Sequence, residues 1–595
     1  MTKLTGGQIV AQALKEYGVE YVAGIPGHGI WTLTDAFLEE GSEIPFIQTF
    51  HEQSAVHMAD GYFRVTGKPM AAVTSIGAGA SNTVIGMATA YTDSTNVVLV
   101  TGGPPTHMRG HGLLQELERF TANDFPKIAE AVSKRHWTVS RVDELPFVMQ
   151  RLFSSMCTGR PGPVHLEIPM DVQAESADVE IHELSKRLPI GKVFPDPAAV
   201  SAAVDVLTAS ERPVIVVGGG TITADATNEV LRFAEHWNIP VVTTWNGKSA
   251  FPEDHRLFAG SVGQTGTTAG NAMSSTADVV IAIGCRFTDW SASSFVQGIS
   301  FSLPPGKLIH IDIDPQEIGK NYPAEVGIVA DAKHAVDAIE RALPSAVPAR
   351  ETYLAELDEK KAEWEEQLAS RRDSDRFPFT SQRPLGALRK VLPRDGIVVV
   401  GSGNTQGAVK QTFPVYEPRT HLTSGGFSSM GWAVPAAIGA KLGAPDRKVV
   451  CVLGDGDFLM TNQEIGLCVT NNIPVVFLIQ DNSGFMSIRG GQRKQTSRHI
   501  GTEFNRPDGT PYSPDYKMLG ESFGLKSFRV NSDSELEDVL REAVESDEPT
   551  LIVVPTDRNA AGPWVPGWWD FPIPGYIDDE RQAEYSEFRA REQHQ

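Results

Sequence analysis

The sequence predicts an α/β protein built from three doubly wound parallel-sheet domains. Three observations predict it. Short Val/Ile/Ala-rich runs such as VVLVTG, VVIAIG and KVVCVL lack polar alternation, as strands buried on both faces do. Gly-rich turns and then helical spacing follow these runs, the texture of βαβ units. This texture recurs in three separate regions of a 595-residue chain, which is too long for a single core.

The first region, 1–185, opens on MTKLTGGQIVAQALKEYGVEYV, read as an amphipathic helix without the continuous apolar core of a signal peptide. Its strands lie near YVAGIP, AAVTSI and VVLVTG, and it closes on GRPGPVHLEIPMDV. The middle region, 186–350, carries PVIVVGGG, IPVVTTW, VVIAIG and KLIHIDI. Residues 351–376 bear charge on more than one face and read as a solvated linking helix. The third region spans 377–560, and a tail, 561–595, crowds Pro, Gly and three Trp before turning polar. That tail reads as a lid, a strap or surface packing. Three domains of one architecture also suggest an old triplication.

Composition narrows the function classes. At 41% hydrophobic and 21% charged, the chain can bury sizeable cores. A net charge of −22 argues against a nucleic-acid surface. The four cysteines, Cys157, Cys285, Cys451 and Cys468, are scattered without a CxxC pair and read as buried reduced thiols of a cytoplasmic protein. No run approaches the roughly 18 apolar residues of a membrane span.

The most informative stretch is KVVCVLGDGDFLMTNQEIGLCVTNNIPVVFLIQDN. Two predicted strands end on polar tips, GDG and DN. In a parallel βαβ unit both tips emerge on one sheet edge, with TNQEIGLCVT as the crossover helix. Asp455 and Asn482 can therefore converge, and a carboxylate with neutral oxygens suits Mg²⁺. Gly454 and Gly456 allow close backbone approach, and the following helix N-terminus favours an anion. A metal-held diphosphate is the sharp reading; a helix-capping Asp455 is the plain one.

GDG followed one βα unit later by Asn resembles the motif of thiamin diphosphate (ThDP) enzymes. The resemblance implies ThDP and Mg²⁺, with Gly454, Gly456 and Asp457 beside the cofactor and a third metal ligand at the backbone carbonyl of Gly484. It also implies a first-domain glutamate that shares its proton with the aminopyrimidine in a dry pocket. HEQSAVHMADGYFRVTG is similar to the family segment around that glutamate and assigns the role to Glu52; without the resemblance, Glu52 is a dipole-matched residue of a first helical turn. TSGGFSSMGWAVPAAIGAKLG resembles the pyrimidine clamp, with Ser428 in it and Met430 as the wedge between the cofactor's rings. VVVGSGNTQ resembles the turn that meets the diphosphate through backbone near Gly403, Asn404 and Thr405.

Over nearly the whole chain the resemblance is to the acetolactate-synthase-like group. It extends to TSIGAGASNTVIGMATAYTDSTNVVLVTG and to GSVGQTGTTAGNAMSSTADVVIAIGCRFTDW. In that group the middle domain holds FAD, and turns around Gly219, Gly220, Thr267, Arg286, Asp312 and Asp331 offer a place for it. Gln264-Thr265-Gly266-Thr267 replaces the group's Met-His-Gly-Thr, so FAD stays open. Gln115 occupies the position where carboligases and lyases carry Gln. SGFMSIRGGQ lacks the group's substrate-selecting Trp. His28, in GIPGHGIW, stands where ThDP-dependent cyclic-dione hydrolases carry a histidine and would serve as general acid or base. His107, Arg109, His111 and Arg489 are substrate-side candidates; His51 and His57 read as weaker, structural ones. Trp564, Trp568 and Trp569 either line the mouth or pack on the surface.

The expected function is a ThDP- and Mg²⁺-dependent lyase or carboligase acting beside the carbonyl of a 2-oxo acid or 1,2-dicarbonyl. Hydrolytic cleavage of a cyclic 1,2-dione is the chemical alternative, and a non-catalytic nucleotide-binding protein the alternative from another class. The resemblance implies a homodimer or homotetramer with Glu52 on one subunit facing Asp455 of the other.

Overall fold

The computed structural model describes residues 2–119, 124–346 and 348–592. Its first region holds strands β1 (Thr2–Thr5), β2 (Val22–Ile25), β3 (Phe46–Gln48), β4 (Met70–Thr74), β5 (Val97–Gly103), β6 (Arg135–Thr138), β7 (Val164–Pro169) and β8 (Ser176–Val179). Six form a parallel sheet in the order β3-β2-β4-β5-β7-β6, and β1 pairs antiparallel with β8. The middle region holds β9 (Pro213–Val217), β10 (Val241–Thr243), β11 (Phe258–Ser261), β12 (Val279–Ile283), β13 (Lys307–Asp312) and β14 (Val326–Val329). Their order is β11-β10-β9-β12-β13-β14. The third holds β15 (Ile397–Val400), β16 (His421–Thr423), β17 (Val449–Gly454), β18 (Val476–Asp481), β19 (Lys526–Arg529) and β20 (Thr550–Pro555), ordered β16-β15-β17-β18-β20-β19.

Each domain is thus a six-stranded parallel sheet flanked by helices, as the apolar runs predict. The winding differs between them. Numbered within its own sheet, the first and third orders both read 2-1-3-4-6-5, whereas the middle reads 3-2-1-4-5-6, the dinucleotide-binding order. A simple triplication does not describe this chain: two domains match and the middle one is wound differently.

The two matching domains pack through helices α1 (Glu52–Thr66) and α2 (Ala433–Gly443). The crossing is reciprocal. A Cβ on Gly61 would lie 2.1 Å from the Ala436 carbonyl oxygen, and one on Gly439 would lie 1.9 Å from that of Met58. The helices therefore meet backbone to backbone, and one continuous core holds Met58 and Tyr62 with Trp432, Ala437 and Phe458.

Three expectations change. The opening segment is β1 before a helix, Gly6–Glu16, because Thr5 and Gln8 form a capping box that starts the helix late. The linking helix, Glu351–Arg372, buries Tyr353, Leu357, Trp364 and Leu368, a narrow stripe hidden among its charges. Cys157 is exposed while the other three cysteines are buried, and all four are free. The tail folds on itself, with Trp568 stacked on Phe588 at 4.2 Å, and against the middle domain, where Trp569 meets Trp290 edge-on at 4.6 Å. Its last three residues lie outside the described ones. Among the described residues no helix is long and apolar enough to cross a membrane.

Candidate active site

β17 and β18 are parallel neighbours, so the GDG and DN tips share an edge. The crossover is longer and more broken than its sequence suggests. Helix α3 (Asp455–Thr461) starts at Asp455 itself, and a short 3-10 turn separates it from Ile465–Thr470. Asp455 is fully buried, and its Oδ2 accepts the Gly484 N–H at 3.0 Å. The Asn482 carbonyl oxygen lies 3.2 Å from Asp455 Oδ1 and 2.9 Å from the Gly484 carbonyl oxygen. Three oxygens therefore converge with no hydrogen between them. Turning the amide over would let it donate to both; a cation among the oxygens satisfies them as they stand. Mg²⁺–oxygen distances near 2.0–2.1 Å put adjacent octahedral ligands about 2.9 Å apart, so the donor set fits that ion. Burial, with Asp481 nearby, pushes Asp455 up to about 7. Among the described residues no three His, Cys, Asp or Glu side chains cluster to hold a metal. This cluster has one carboxylate and two neutral oxygens, a pattern suited to an ion that also takes phosphate and water.

The neighbouring turn follows β15. Gly403 has φ 97°, left-handed backbone that glycine tolerates, and opens the helix Asn404–Thr412. A Cβ on Gly454 would lie 3.7 Å from Thr405 Oγ1, so this turn and the GDG turn face each other. Asp457, expected beside the cofactor, spends both oxygens on backbone. Oδ2 accepts the Ser402 N–H at 2.7 Å and Oδ1 the Gly431 N–H at 2.5 Å. It braces the diphosphate turn against the Met430 segment, and burial lifts it to about 6. Within that segment Ser428 is left-handed at φ 54°, its hydroxyl donates to Gln406 Oε1 at 3.1 Å, and Met430 is half-buried.

On the first sheet, the candidate catalytic groups gather around the segment after β4. Glu52 is the first residue of α1; its Oε2 accepts the Asn82 Nδ2–H at 2.9 Å. Its Oε1 lies 3.1 Å from where a Cβ on Gly79 would sit. The Gln115 carbonyl accepts the Ala78 N–H at 3.0 Å and approaches to 1.8 Å of where a Gly77 Cβ would be. Gln115 itself is left-handed at φ 68°, a strained backbone held by that contact. The His28 turn docks through Gly29 N–H donating to Ser75 Oγ at 3.2 Å, and Trp31 beside it is 67% exposed. Glu52, Gln115 and the turn bearing His28 thus meet one short segment, Ser75–Gly79.

Other candidates are placed differently. His57 is buried, and desolvation lowers it to about 4, so it is neutral. Arg489 is buried, donating to Glu503 at 2.7 Å and to Asn559 at 3.1 Å, so its bonds serve the loop and a substrate carboxylate would have to displace them. His107 is exposed near Asp171, at 3.8 Å. Trp564 is exposed, whereas Trp569 donates to Asp289 on the middle domain.

A cavity of about 240 Å³ lies where the three domains meet, and Gly219, Gly220, Arg286, Asp312 and Asp331 are among the residues that line it. Thr267 is elsewhere: it caps the helix Thr268–Ser275 through a 2.9 Å bond from Gly270 N–H. Thr265 accepts the indole N–H groups of Trp245 and Trp290. Burial raises Asp312 to about 6.

Sequence reasoning missed Asn82, Ser402 and Glu464. Glu464 is buried and accepts the Phe50 N–H at 3.1 Å, just before Glu52. A lone Asn or Glu in a helical stretch carries no signal of such partners.

Sequence models of three domains match in chain order: the N-terminal TPP binding domain over 4–122, the thiamine pyrophosphate enzyme central domain over 200–339, and the C-terminal TPP binding domain over 401–554. The chain belongs to the thiamine pyrophosphate enzyme family. Within it, the chain is similar to the probable acetolactate synthase large subunit of Methanocaldococcus jannaschii, 36% identical over 580 residues, covering 95% of this chain and 94% of that protein. The acetolactate synthase large subunit of Haemophilus influenzae is 32% identical, with 91% and 92% covered. The isozyme 3 large subunit of Escherichia coli is 31% identical, with 92% and 93% covered. The chain is thus a ThDP-dependent enzyme of the acetolactate-synthase-like, carboligase type.

Proposed function

We propose that this ThDP enzyme is a Mg²⁺-dependent lyase or carboligase that breaks or forms the C–C bond beside the carbonyl of a 2-oxo acid or 1,2-dicarbonyl. The observation that carries the reading is the convergence of the Asp455, Asn482 and Gly484 oxygens beside the Gly403–Thr405 turn. Those oxygens would hold Mg²⁺, and the N–H groups of the turn would orient the diphosphate. Bound there, ThDP supplies an electron sink for the reacting carbonyl carbon. Met430 would wedge against it. Glu52 would hold and return a proton at Oε1, the oxygen that Asn82 leaves free. Gln115 and His28 would face the substrate across the Ser75–Gly79 segment.

His28 on that segment also supports a second reading, hydrolytic cleavage of a cyclic 1,2-dione, with its imidazole moving the proton of water. The cavity supports FAD or another nucleotide, and the open first-sheet edge supports a homodimer or homotetramer. A panel of 2-oxo acids and 1,2-diketones, run with and without Mg²⁺ and ThDP and read by mass spectrometry, tests the reaction. Turnover that persists without ThDP would sink it. A yellow protein whose absorbance bleaches with substrate would add flavin chemistry.

A further inference from the structure

Asp93, at the end of the helix Val84–Asp93, is a fully buried carboxylate touching all three domains. From the first domain Arg64 Nη2 donates to its Oδ2 at 2.9 Å. From the middle domain Asn246 Nδ2 donates to its Oδ1 at 2.9 Å. From the third, the Gly426 N–H donates to the same oxygen at 2.8 Å. Contact at Gly426 is so close that a Cβ there would lie 2.1 Å from Oδ1, while one on Gly425 would lie 2.4 Å from Asn246 Oδ1. The segment that follows carries Ser428 and Met430 and ends on Gly431, whose N–H bonds Asp457. Two buried carboxylates therefore hold the Met430 segment, Asp93 at its start and Asp457 at its end. Asp93, Asn246 and Gly426 also line the cavity between the domains, with Arg286 4.0 Å from Asp93. A charge-assisted network of this kind has few alternative arrangements, since a buried carboxylate left short of donors is costly.

We propose that Asp93 is a positioning residue for the Met430 segment and that, through Asn246, it couples occupancy of the cavity to ThDP binding. The proposal rests on the ThDP reading above. An occupant that orders Asn246 fixes Asp93, and Asp93 fixes Gly426 and the wedge beyond it. Coupling of this sort is a free energy shared by two sites and is reciprocal.

The test uses the full-length protein as wild type, Asp93→Asn and Asn246→Ala. The dissociation constant of ThDP, with Mg²⁺ present, is read from tryptophan fluorescence with and without saturating FAD or ADP as cavity probes. The expected result is that a probe tightens ThDP about fivefold in the wild type. Asp93→Asn should weaken ThDP roughly tenfold and abolish the probe's effect, because an amide cannot accept from all three donors. Asn246→Ala, which removes one of the three donors, should weaken ThDP less than Asp93→Asn does and should lose the probe's effect. The proposal is overturned if neither probe shifts ThDP binding in the wild type, or if the shift survives in Asn246→Ala. Wild-type ThDP affinity in a folded Asp93→Asn also overturns it. Should Asp93→Asn lose its thermal transition, Asn246→Ala decides alone. A wild type that binds no ThDP is a separate outcome and removes the underlying reading instead.

Discussion

The edges of the first and third sheets share a winding order but differ in finish. On the third, the functional groups are sealed: Asp455 is fully buried, Asp457 is spent on two backbone N–H groups, and three oxygens already face one another. On the first, Glu52 is half-buried, Asn82 is exposed, and Trp31 stands in solvent beside His28. One edge is a completed cradle and the other a set of aimed groups without a cover. If Glu52 handles a proton as proposed, it needs a dry pocket, and its half-buried place on this edge leaves that pocket to be closed by another surface.

The sharpest break in this comparison comes from the sealed edge. Asp455→Ala should abolish Mg²⁺-dependent ThDP binding and lower kcat/KM by roughly 10³-fold, checked by equilibrium dialysis and steady-state assay. Retained binding would mean that the oxygens are not a metal site. Glu52→Gln probes the open edge: turnover should fall by about 10² to 10⁴-fold while ThDP affinity stays nearly unchanged. Mixing these two inactive proteins then asks whether the edges belong to one site. If sites form between chains, an equal mixture after subunit exchange should recover about a quarter of wild-type activity. No recovery, with exchange shown by mass spectrometry, would confine each site to one chain.

The smallest effect concerns Glu464, which lies under the start of α1. Burial raises it to about 7 against an ordinary value of 4.5, so the folded chain holds this proton more tightly than the unfolded chain. Its contribution is therefore fully present below about pH 4.5 and is lost as pH rises towards 7. Glu464→Gln should be more stable than wild type at pH 8, by at most about 3 kcal/mol, with the advantage shrinking as pH falls towards 4.5. Denaturant melts at the two pH values check it.

What the sequence made legible was local. The Asp455, Asn482 and Gly484 oxygens lie within one βαβ unit, so strand direction alone brings Asp455 and Asn482 together. Continuous Val/Ile runs likewise marked the buried strands. Strand order was not legible, because the middle domain's runs look like those of its neighbours while its sheet is wound differently. The bracing groups were hidden by distance: Asn246 and Gly426 stand 153 and 333 residues from Asp93. Thr267 and Arg489 misled for the opposite reason, since a helix cap resembles a phosphate turn and a loop ion pair resembles a substrate arginine. The linking helix hid its four buried side chains among too many charges for periodicity to reveal them.

The reciprocal glycine crossing of α1 and α2 sets how this enzyme can open. With main chain against main chain at Gly61 and Gly439, the first and third domains have no compressible layer between them and cannot hinge. Within one chain, the offset between the Glu52 edge and the Asp455 edge is set by two hydrogens that no larger group can replace.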